Sequence, residues 1–417
     1  MTGQPKIERP RGTHDVIPSE QPLWQLVTSE FERLCALYGY RRIQTPGFED
    51  TELFARTSGD SSDVVRKEMY TFVDRGDRSL TLRAEATAPI VRAYLEHGLA
   101  REPQPQKLFT IAPIYRYGRP QKGRFREHWQ LDVEAIGSAD PAVDAEVIQL
   151  YDTLLRRLGV TEYRLELNSI GDEVCRPAYL KTLRAWLAER EEALDEDTRE
   201  QARRNPLRAL DNVAAKAPHV QTLLRGAPLI ADALCDGCRE HFATVRGYLD
   251  AYGVRYELVP TLVRGLDYYT RTAWEFVGPA GGSTSTISGG GRYDGLAEEL
   301  GGPSTPGVGF GAGIERLVLA AEEAGITAAA PAVDVFFALD EGAPRESVLT
   351  WTARLRALGV SADVDYAGRS LKGQLTQATR LGAATTVVVS SEGAVIRRAG
   401  GQDEAVPHES VLARLSP

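Results

Sequence analysis

The chain has 417 residues, 42% hydrophobic and 26% charged, with a formal net charge of −9. That length buries a large core and predicts two or three domains of an ordinary globular protein. There is no apolar run of roughly eighteen residues and no signal-peptide-like start, and the four cysteines imply no disulfide framework, so a cytoplasmic protein with no membrane association is expected.

Residues 20–40 place Leu23, Leu26, Val27, Phe31 and Leu34 at helical spacing and stop at Tyr38-Gly39-Tyr40. Ile43-Gln44-Thr45-Pro46 reads as a short strand broken by its proline, which puts it at an edge or an interface. A short helix over 52–56, strands at 69–73 and 81–83, and a helix over 87–97 follow. Leu108-Phe109-Thr110-Ile111-Ala112-Pro113-Ile114-Tyr115-Arg116 is a long strand, and 129–136 returns as its antiparallel partner. The tip between them carries Arg116, Arg119, Lys122, Arg124 and Arg126 and no acidic residue before Glu127. Alternation puts Gln130, Asp132 and Glu134 on one face of the returning strand, as a pocket floor or a solvated face. Trp129, Leu131, Val133 and Ala135 are expected to pack on the other.

A helix over 141–158 and a strand over 163–167 precede a charged stretch, 172–253, with no strand pattern; it reads as a helical insertion. Strand character resumes at Tyr256-Glu257-Leu258-Val259, expected to be buried. Next comes Leu262-Val263-Arg264-Gly265-Leu266-Asp267-Tyr268-Tyr269-Thr270-Arg271-Thr272. An arginine is seldom buried without an anion, so Arg264 either pairs with Asp267 or faces an anionic ligand. Tyr268 and Tyr269 offer flat walls with polar tips, suited to a small ring-bearing ligand. Three glycines in Ser288-Gly289-Gly290-Gly291-Arg292-Tyr293-Asp294 and the alternate glycines from Gly307 to Gly313 allow close backbone approach. Beyond a linker at 324–331, the order βαβαβ predicts a small parallel or mixed α/β domain.

Gly118 to Gly123 has Walker-A spacing, but Arg124-Phe125 stands where Lys-Ser/Thr is required. The glycines from Gly307 lack the βαβ setting of a dinucleotide fingerprint. Three separated arginines remain, Arg116, Arg264 and Arg316, each beside strand or glycine-rich backbone. Guanidinium forks of this kind suit a triphosphate and the charge that develops on phosphorus.

These segments together resemble the class II aminoacyl-tRNA synthetases, and within them the histidyl-tRNA synthetase family, over nearly the whole chain from Arg11-Gly12-Thr13-His14-Asp15 onward. Pro46 and its surroundings resemble class motif 1, Tyr115-Arg116 through Glu134 motif 2, and Gly309 through Arg316 motif 3. Arg264-Gly265-Leu266-Asp267-Tyr268-Tyr269 and Gly290-Gly291-Arg292-Tyr293-Asp294 resemble the two histidine signatures. The chain departs from the family pattern at Ala84 and Ala86, around Glu85, and at Gly118.

The resemblance implies an α+β fold: an antiparallel-sheet class II synthetase catalytic domain with a helical insertion, plus a small C-terminal α/β domain. The expected divisions are 1–171 and 254–325 for the catalytic domain, 172–253 for the insertion and 331–417 for an anticodon-binding-like domain. It implies an enzyme, a ligase that activates L-histidine with ATP and Mg2+ and transfers it to tRNA(His), acting as a homodimer. By position, Arg116 and Arg264 act at the α-phosphate as the catalytic pair, and Arg316 holds the γ-phosphate end. Glu85, Thr87 and Gln130 take the amino acid's ammonium, and Glu134, Tyr268 and Tyr269 surround its imidazole. Gln121, Lys122 and Arg124 meet the acceptor end of tRNA, with Arg369 and Lys372 as contacts in the terminal domain. An inactive, histidine-sensing regulatory paralogue of ATP phosphoribosyltransferase is the alternative. Cys235-Asp236-Gly237-Cys238 supplies half a tetrahedral metal site, with His241 as a third ligand if all share one helix, and Cys175 and Cys35 are distant in sequence; no metal is expected.

Overall fold

The computed structural model describes residues 6–416 except 60, 61, 63, 121, 211, 212, 214, 215, 279–285, 331 and 399. It divides into two units, Met1–Ala328 and Ala329–Pro417. In the first, α1 (Gln21–Leu37) starts on Pro22 and buries Leu23, Val27, Phe31 and Leu34 along one stripe. After β1 (Arg41–Arg42) come β2 (Phe48–Asp50), α2 (Thr51–Ser58), β3 (Thr71–Val73) and β4 (Ser79–Leu82). Asp50 caps α2 by accepting the Glu52 N–H. Strands β2, β4 and β3 make a small antiparallel sheet.

Then follow α3 (Thr87–Glu96), β5 (Gln106–Tyr115), β6 (Glu127–Ile136), α4 (Pro141–Arg157) and β7 (Arg164–Ser169). A helical stretch holds α5 (Arg176–Ala188), α6 (Glu196–Arg204), α7 (Pro206–Ala209), α8 (Pro218–Leu224) and α9 (Asp236–Ala251). The unit closes with β8 (Glu257–Leu258), β9 (Thr270–Val277), β10 (Thr286–Arg292), α10 (Leu296–Glu299), β11 (Gly307–Gly313) and α11 (Ile314–Glu323).

The main sheet runs β1-β5-β6-β11-β10-β9-β7-β8. Its inner ladders are antiparallel, and only the two edges, β1 on β5 and β8 on β7, are parallel. One face carries Leu131, Val133, Phe310, Trp274 and Phe276 into a core with Phe31 of α1, Ile148 and Tyr151 of α4, and Leu317 of α11. Burial of that face drives the packing. The opposite face carries Leu108, Ile114, Ile136 and Ala273 into a second core with Ile90 and Tyr94 of α3 and Leu183 of α5, and its polar row is left for a site. The fold is α+β, with the antiparallel sheet expected of a class II synthetase.

The second unit consists of β12 (Val335–Leu339), α12 (Arg345–Ala357), β13 (Ala362–Val364), α13 (Leu371–Arg380), β14 (Thr385–Val389), β15 (Ala394–Arg398), β16 (Glu404–Val406) and α14 (Val411–Leu415). Its sheet, β13-β12-β14-β15-β16, is parallel on one side and antiparallel on the other, so the domain is mixed. The helices divide between its faces. Trp351 and Leu355 of α12 pack on one and Ala378 of α13 on the other.

Several expectations need correction. Strand β8 is two residues long and exposed rather than a buried run, because it pairs only with β7 at the sheet's edge. Residues 43–46 are not a strand; pairing occurs at β1, and the Ile43 N–H adds one further bond to the Phe109 carbonyl. The loop that follows is fixed by Arg83, which is buried and donates to the carbonyls of Thr45, Pro46 and Pro113. Trp129 is 39% exposed instead of packed, since it sits at the tip end of β6, where the sheet has run out of cover. Strands β15 and β16 carried too little apolar alternation to be read in sequence.

Candidate active site

That second face of the main sheet holds a cavity of about 800 Å³ that continues into a lobe of about 290 Å³. The larger lobe is lined by Arg116, Arg124, Phe125, His128, Glu275, Glu315 and Arg316. The smaller is lined by Glu85, Thr87, Asp132, Tyr268 and Tyr269. Arg116, Gln130 and Arg264 line both, so they stand where the lobes join. Arginines from three distant segments thus share one cavity with a patch of carboxyls and tyrosines. One lobe suits a polyanion and the other a small cation with a ring.

Strand register explains how the floor is made. Gly309, Gly311 and Gly313 of β11 lie opposite Glu134, Asp132 and Gln130 of β6. A Cβ at Gly309 would strike the Glu134 carboxyl, so the glycines make room for the polar row. The same holds on β10, where a Cβ at Gly289 would fall on the Arg264 guanidinium. Arg264 lies across that bare backbone and pairs with Glu275, while Asp267 accepts from Asn205 and Arg208. Arg116 is aimed by donating Nε to the Ala84 carbonyl at 2.7 Å. Arg316, in the first turn of α11, donates to the Thr286 carbonyl at 2.6 Å and the Gly123 carbonyl at 3.3 Å.

In the smaller lobe, both Glu85 oxygens accept N–H groups at the start of α3, from Thr87 at 2.6 Å and Ala88 at 2.9 Å. Thr87 Oγ1 donates to Glu134 at 2.6 Å. Tyr293 donates to the other Glu134 oxygen. Glu134 is fully buried and lies beneath the floor rather than along the lining. Tyr268 stacks obliquely on Tyr269 with ring centroids 4.7 Å apart and meets Tyr293 edge-on at 6.0 Å.

Burial pushes the Asp132 carboxyl up to about 8, with Glu85 beside it adding to the rise and Arg83 and Arg116 opposing it. Burial likewise raises Glu85 and Glu134. Three crowded carboxyls short of a cation are suited to receive an ammonium. In the larger lobe burial and then Arg116 and Arg316 hold His128 down to about 3, so its ring is neutral.

The family model for histidyl-tRNA synthetase matches residues 12–317, which spans both lobes and every wall described above. The chain belongs to the histidyl-tRNA synthetase family. It is 49% identical to a histidine–tRNA ligase of Caldanaerobacter subterraneus subsp. tengcongensis over 92% of this chain and 91% of that one. A histidine–tRNA ligase of Rhodococcus erythropolis is 47% identical over 100% of this chain and 99% of its own. Among solved structures, the apo histidyl-tRNA synthetase of S. aureus superposes with a TM-score of 0.81 at 36% identity, covering 98% of this chain and all of that one.

Other expected synthetase residues lie apart from the cavity or at its rim. Gln121 lies outside the described residues. Lys122 reaches Glu323 at 3.8 Å and Arg124 reaches Glu68 at 3.1 Å, so these two basic side chains have acidic partners. In the second unit, Arg369 pairs with Asp365 at 2.6 Å just before α13, and Lys372 is exposed in the first turn of that helix.

Sequence reasoning missed Glu275 and Phe125, and gave Asp132 and Arg292 no role beyond a strand face and a signature. Glu275 belongs to a strand that reads as plain core, and only its ion pair with Arg264 gives it away. Arg292, in the second histidine signature, points away from the cavity. It is fully buried, pairs with Asp144 of α4, and donates to the Ser138 carbonyl at 2.9 Å and to Asp294 at 3.0 Å. His241 is not a partner of Cys238. Its Nε2 lies 3.2 Å from Asp144, on the face of α9 turned to α4. Cys175, remote in sequence, is the residue that meets Cys238, at 3.9 Å.

Proposed function

We propose that this synthetase is a histidine–tRNA ligase working in a cytoplasm, and that its two lobes hold ATP and L-histidine so that they meet at Arg116 and Arg264. The observation carrying this is the sharing of Arg116, Gln130 and Arg264 by an arginine-walled lobe and a carboxyl- and tyrosine-walled one. The histidine carboxylate oxygen attacks the α-phosphorus, the bond to the β-phosphate breaks, and pyrophosphate leaves with its electron pair. The tRNA 3′ hydroxyl then displaces AMP. The first step needs no protein nucleophile. It needs two anions aligned and the charge on phosphorus stabilised.

Arg116 and Arg264 supply that stabilisation, and Arg316 anchors the γ-phosphate end. Phe125 and neutral His128 give the base an uncharged wall. Glu85, Thr87 and Gln130 receive the ammonium. Tyr268 and Tyr269 flank the imidazole, whose N–H reaches Glu134; that carboxylate spends two of its acceptor positions on Thr87 and Tyr293 and has others left. A ring lacking the N–H cannot make that bond, which is the proposed source of selectivity.

The larger lobe also fits Mg2+, which takes hard oxygen ligands. Glu275 and Glu315 line it, and Glu315 Oε2 has no hydrogen-bond partner among the described residues. These two would hold the ion, and when bound it neutralises charge on the departing pyrophosphate. For tRNA, the basic tip at Gln121, Lys122 and Arg124 contacts the acceptor end, and Arg369 and Lys372 contact the anticodon side through phosphates. Two copies associate through the small sheet, where Phe48 and Phe72 are exposed and touch edge to face at 6.3 Å.

Incorporation of labelled histidine into tRNA, dependent on ATP, tests this reading. Histidine binding with no charging of tRNA under any condition would overturn it in favour of a sensing role.

A further inference from the structure

Where the helical stretch leaves the main sheet, just after β7, and where its last helix begins, four side chains converge. Asp172, Cys175, Cys235 and Cys238 each present a ligand atom, and these atoms all lie within 4.8 Å of one another. Cys175 Sγ is 3.9 Å from Cys238 Sγ, and Asp172 Oδ1 is 3.5 Å from Cys175 Sγ and 3.8 Å from Cys235 Sγ. A tetrahedral zinc ion with bonds of about 2.3 Å to sulfur and about 2.0 Å to oxygen sets sulfur–sulfur edges of about 3.8 Å and sulfur–oxygen edges of about 3.5 Å. These three edges fall close to those values. The thiols are not bonded to one another.

We propose that Asp172, Cys175, Cys235 and Cys238 form a structural zinc site that ties the first turn of the helical stretch to the N-terminus of α9. Spacing supports it: Asp172-Glu173-Val174-Cys175 and Cys235-Asp236-Gly237-Cys238 are two pairs with two residues between their ligands, the interval found in structural zinc sites. Surroundings support it too. Cys235 is the N-cap of α9, so the positive end of that helix faces the thiolates. The Asp172 N–H points at Cys175 Sγ at 3.5 Å. Cys175 and Cys238 are buried, as a closed site requires.

Three thiolates and a carboxylate exceed the ion's charge by two, and two arginines answer that excess. Arg271 reaches the free oxygen of Asp172, Oδ2, at 3.4 Å. Arg176 follows Cys175 directly and donates to the carbonyls of Gly171 at 2.9 Å and Tyr269 at 2.6 Å. Through these two residues the site is joined to the stretch that carries Tyr268 and Tyr269. A full site therefore positions the tyrosine wall of the smaller lobe without touching substrate.

The test uses the full-length chain. Elemental analysis after gel filtration in metal-free buffer should find about one zinc per chain. Cobalt(II) added to chelator-treated protein should give the thiolate charge-transfer and tetrahedral ligand-field bands of a three-sulfur site. Asp172→Cys, which completes a four-thiolate set, should retain zinc against a chelator at least about as well as the parent, and Cys235→Ser should release it at least about tenfold more readily. Zinc removal should raise KM for histidine more than KM for ATP. Substoichiometric zinc with no cobalt bands, a Cys175–Cys238 disulfide in protein isolated under reducing conditions, or unchanged metal content in Cys175→Ser/Cys238→Ser would each overturn the proposal. The cobalt spectrum of the unmutated chain decides the matter even if a variant fails to fold.

Discussion

Arg264 and Glu275 form an ion pair across the bare backbone of Gly289, at the junction of the two lobes. The pair holds the guanidinium flat against β10 and aims it at the space that Arg116 and Gln130 share. Removing the side chain takes away charge stabilisation on phosphorus and one residue at the junction of the lobes, but leaves the carboxyl and tyrosine walls around the amino acid. Arg264→Ala is expected to lower ATP–pyrophosphate exchange by about 10²–10³-fold, the usual cost of one such group. Histidine affinity by calorimetry should change little.

The backbone beneath Arg264 is as demanding as the arginine itself. Gly289→Ala puts a methyl where the guanidinium lies, and the arginine must swing out. Exchange should fall nearly as far as in Arg264→Ala, and the double variant should be no worse than either single one. A double-mutant cycle reads this coupling; additive losses would show that the two residues act separately.

Asp132 is expected to make histidine binding depend on pH. Its carboxyl is protonated in the folded chain up to about pH 8 but ionised in the unfolded chain from about pH 4. The unfolded state therefore binds fewer protons in that window. The stability contributed by this group is full below about pH 4 and is lost as pH rises through about 8. An ammonium ligand favours the ionised form, so KM for histidine should fall between about pH 6.5 and pH 8, and Asp132→Asn should flatten that profile.

Arg292 is a stability residue despite its place in a signature motif. Arg292→Met leaves Asp144 charged, buried and short of its partner, and His241 alone cannot replace a three-point guanidinium contact. The expected loss is about 3–5 kcal/mol, read by denaturant unfolding. KM for both substrates in the remaining folded protein should stay near the parent's.

Much of this was legible in the sequence because the site is built on strands. The period of two put Gln130, Asp132 and Glu134 on one face of β6, and the alternate glycines of β11 announced that something lay against them. What failed had little local signature. The exposure of β8 and Trp129 depends on where the sheet ends, and nothing in Leu258 or Trp129 says so. Glu275 and Arg292 became visible only through their partners, 11 residues away in one case and 148 in the other. The cysteine cluster escaped for the same reason: Cys175 and Cys238 are 63 residues apart and meet only because the helical stretch returns to its own starting point.

In the proposed function the smaller lobe admits histidine and delivers its carboxylate to ATP at Arg116 and Arg264. ATP–pyrophosphate exchange with each of the twenty amino acids, without tRNA, tests it most directly. Exchange with histidine alone is the predicted result. Exchange with another amino acid at a comparable rate, or none from protein that still binds histidine, would contradict it.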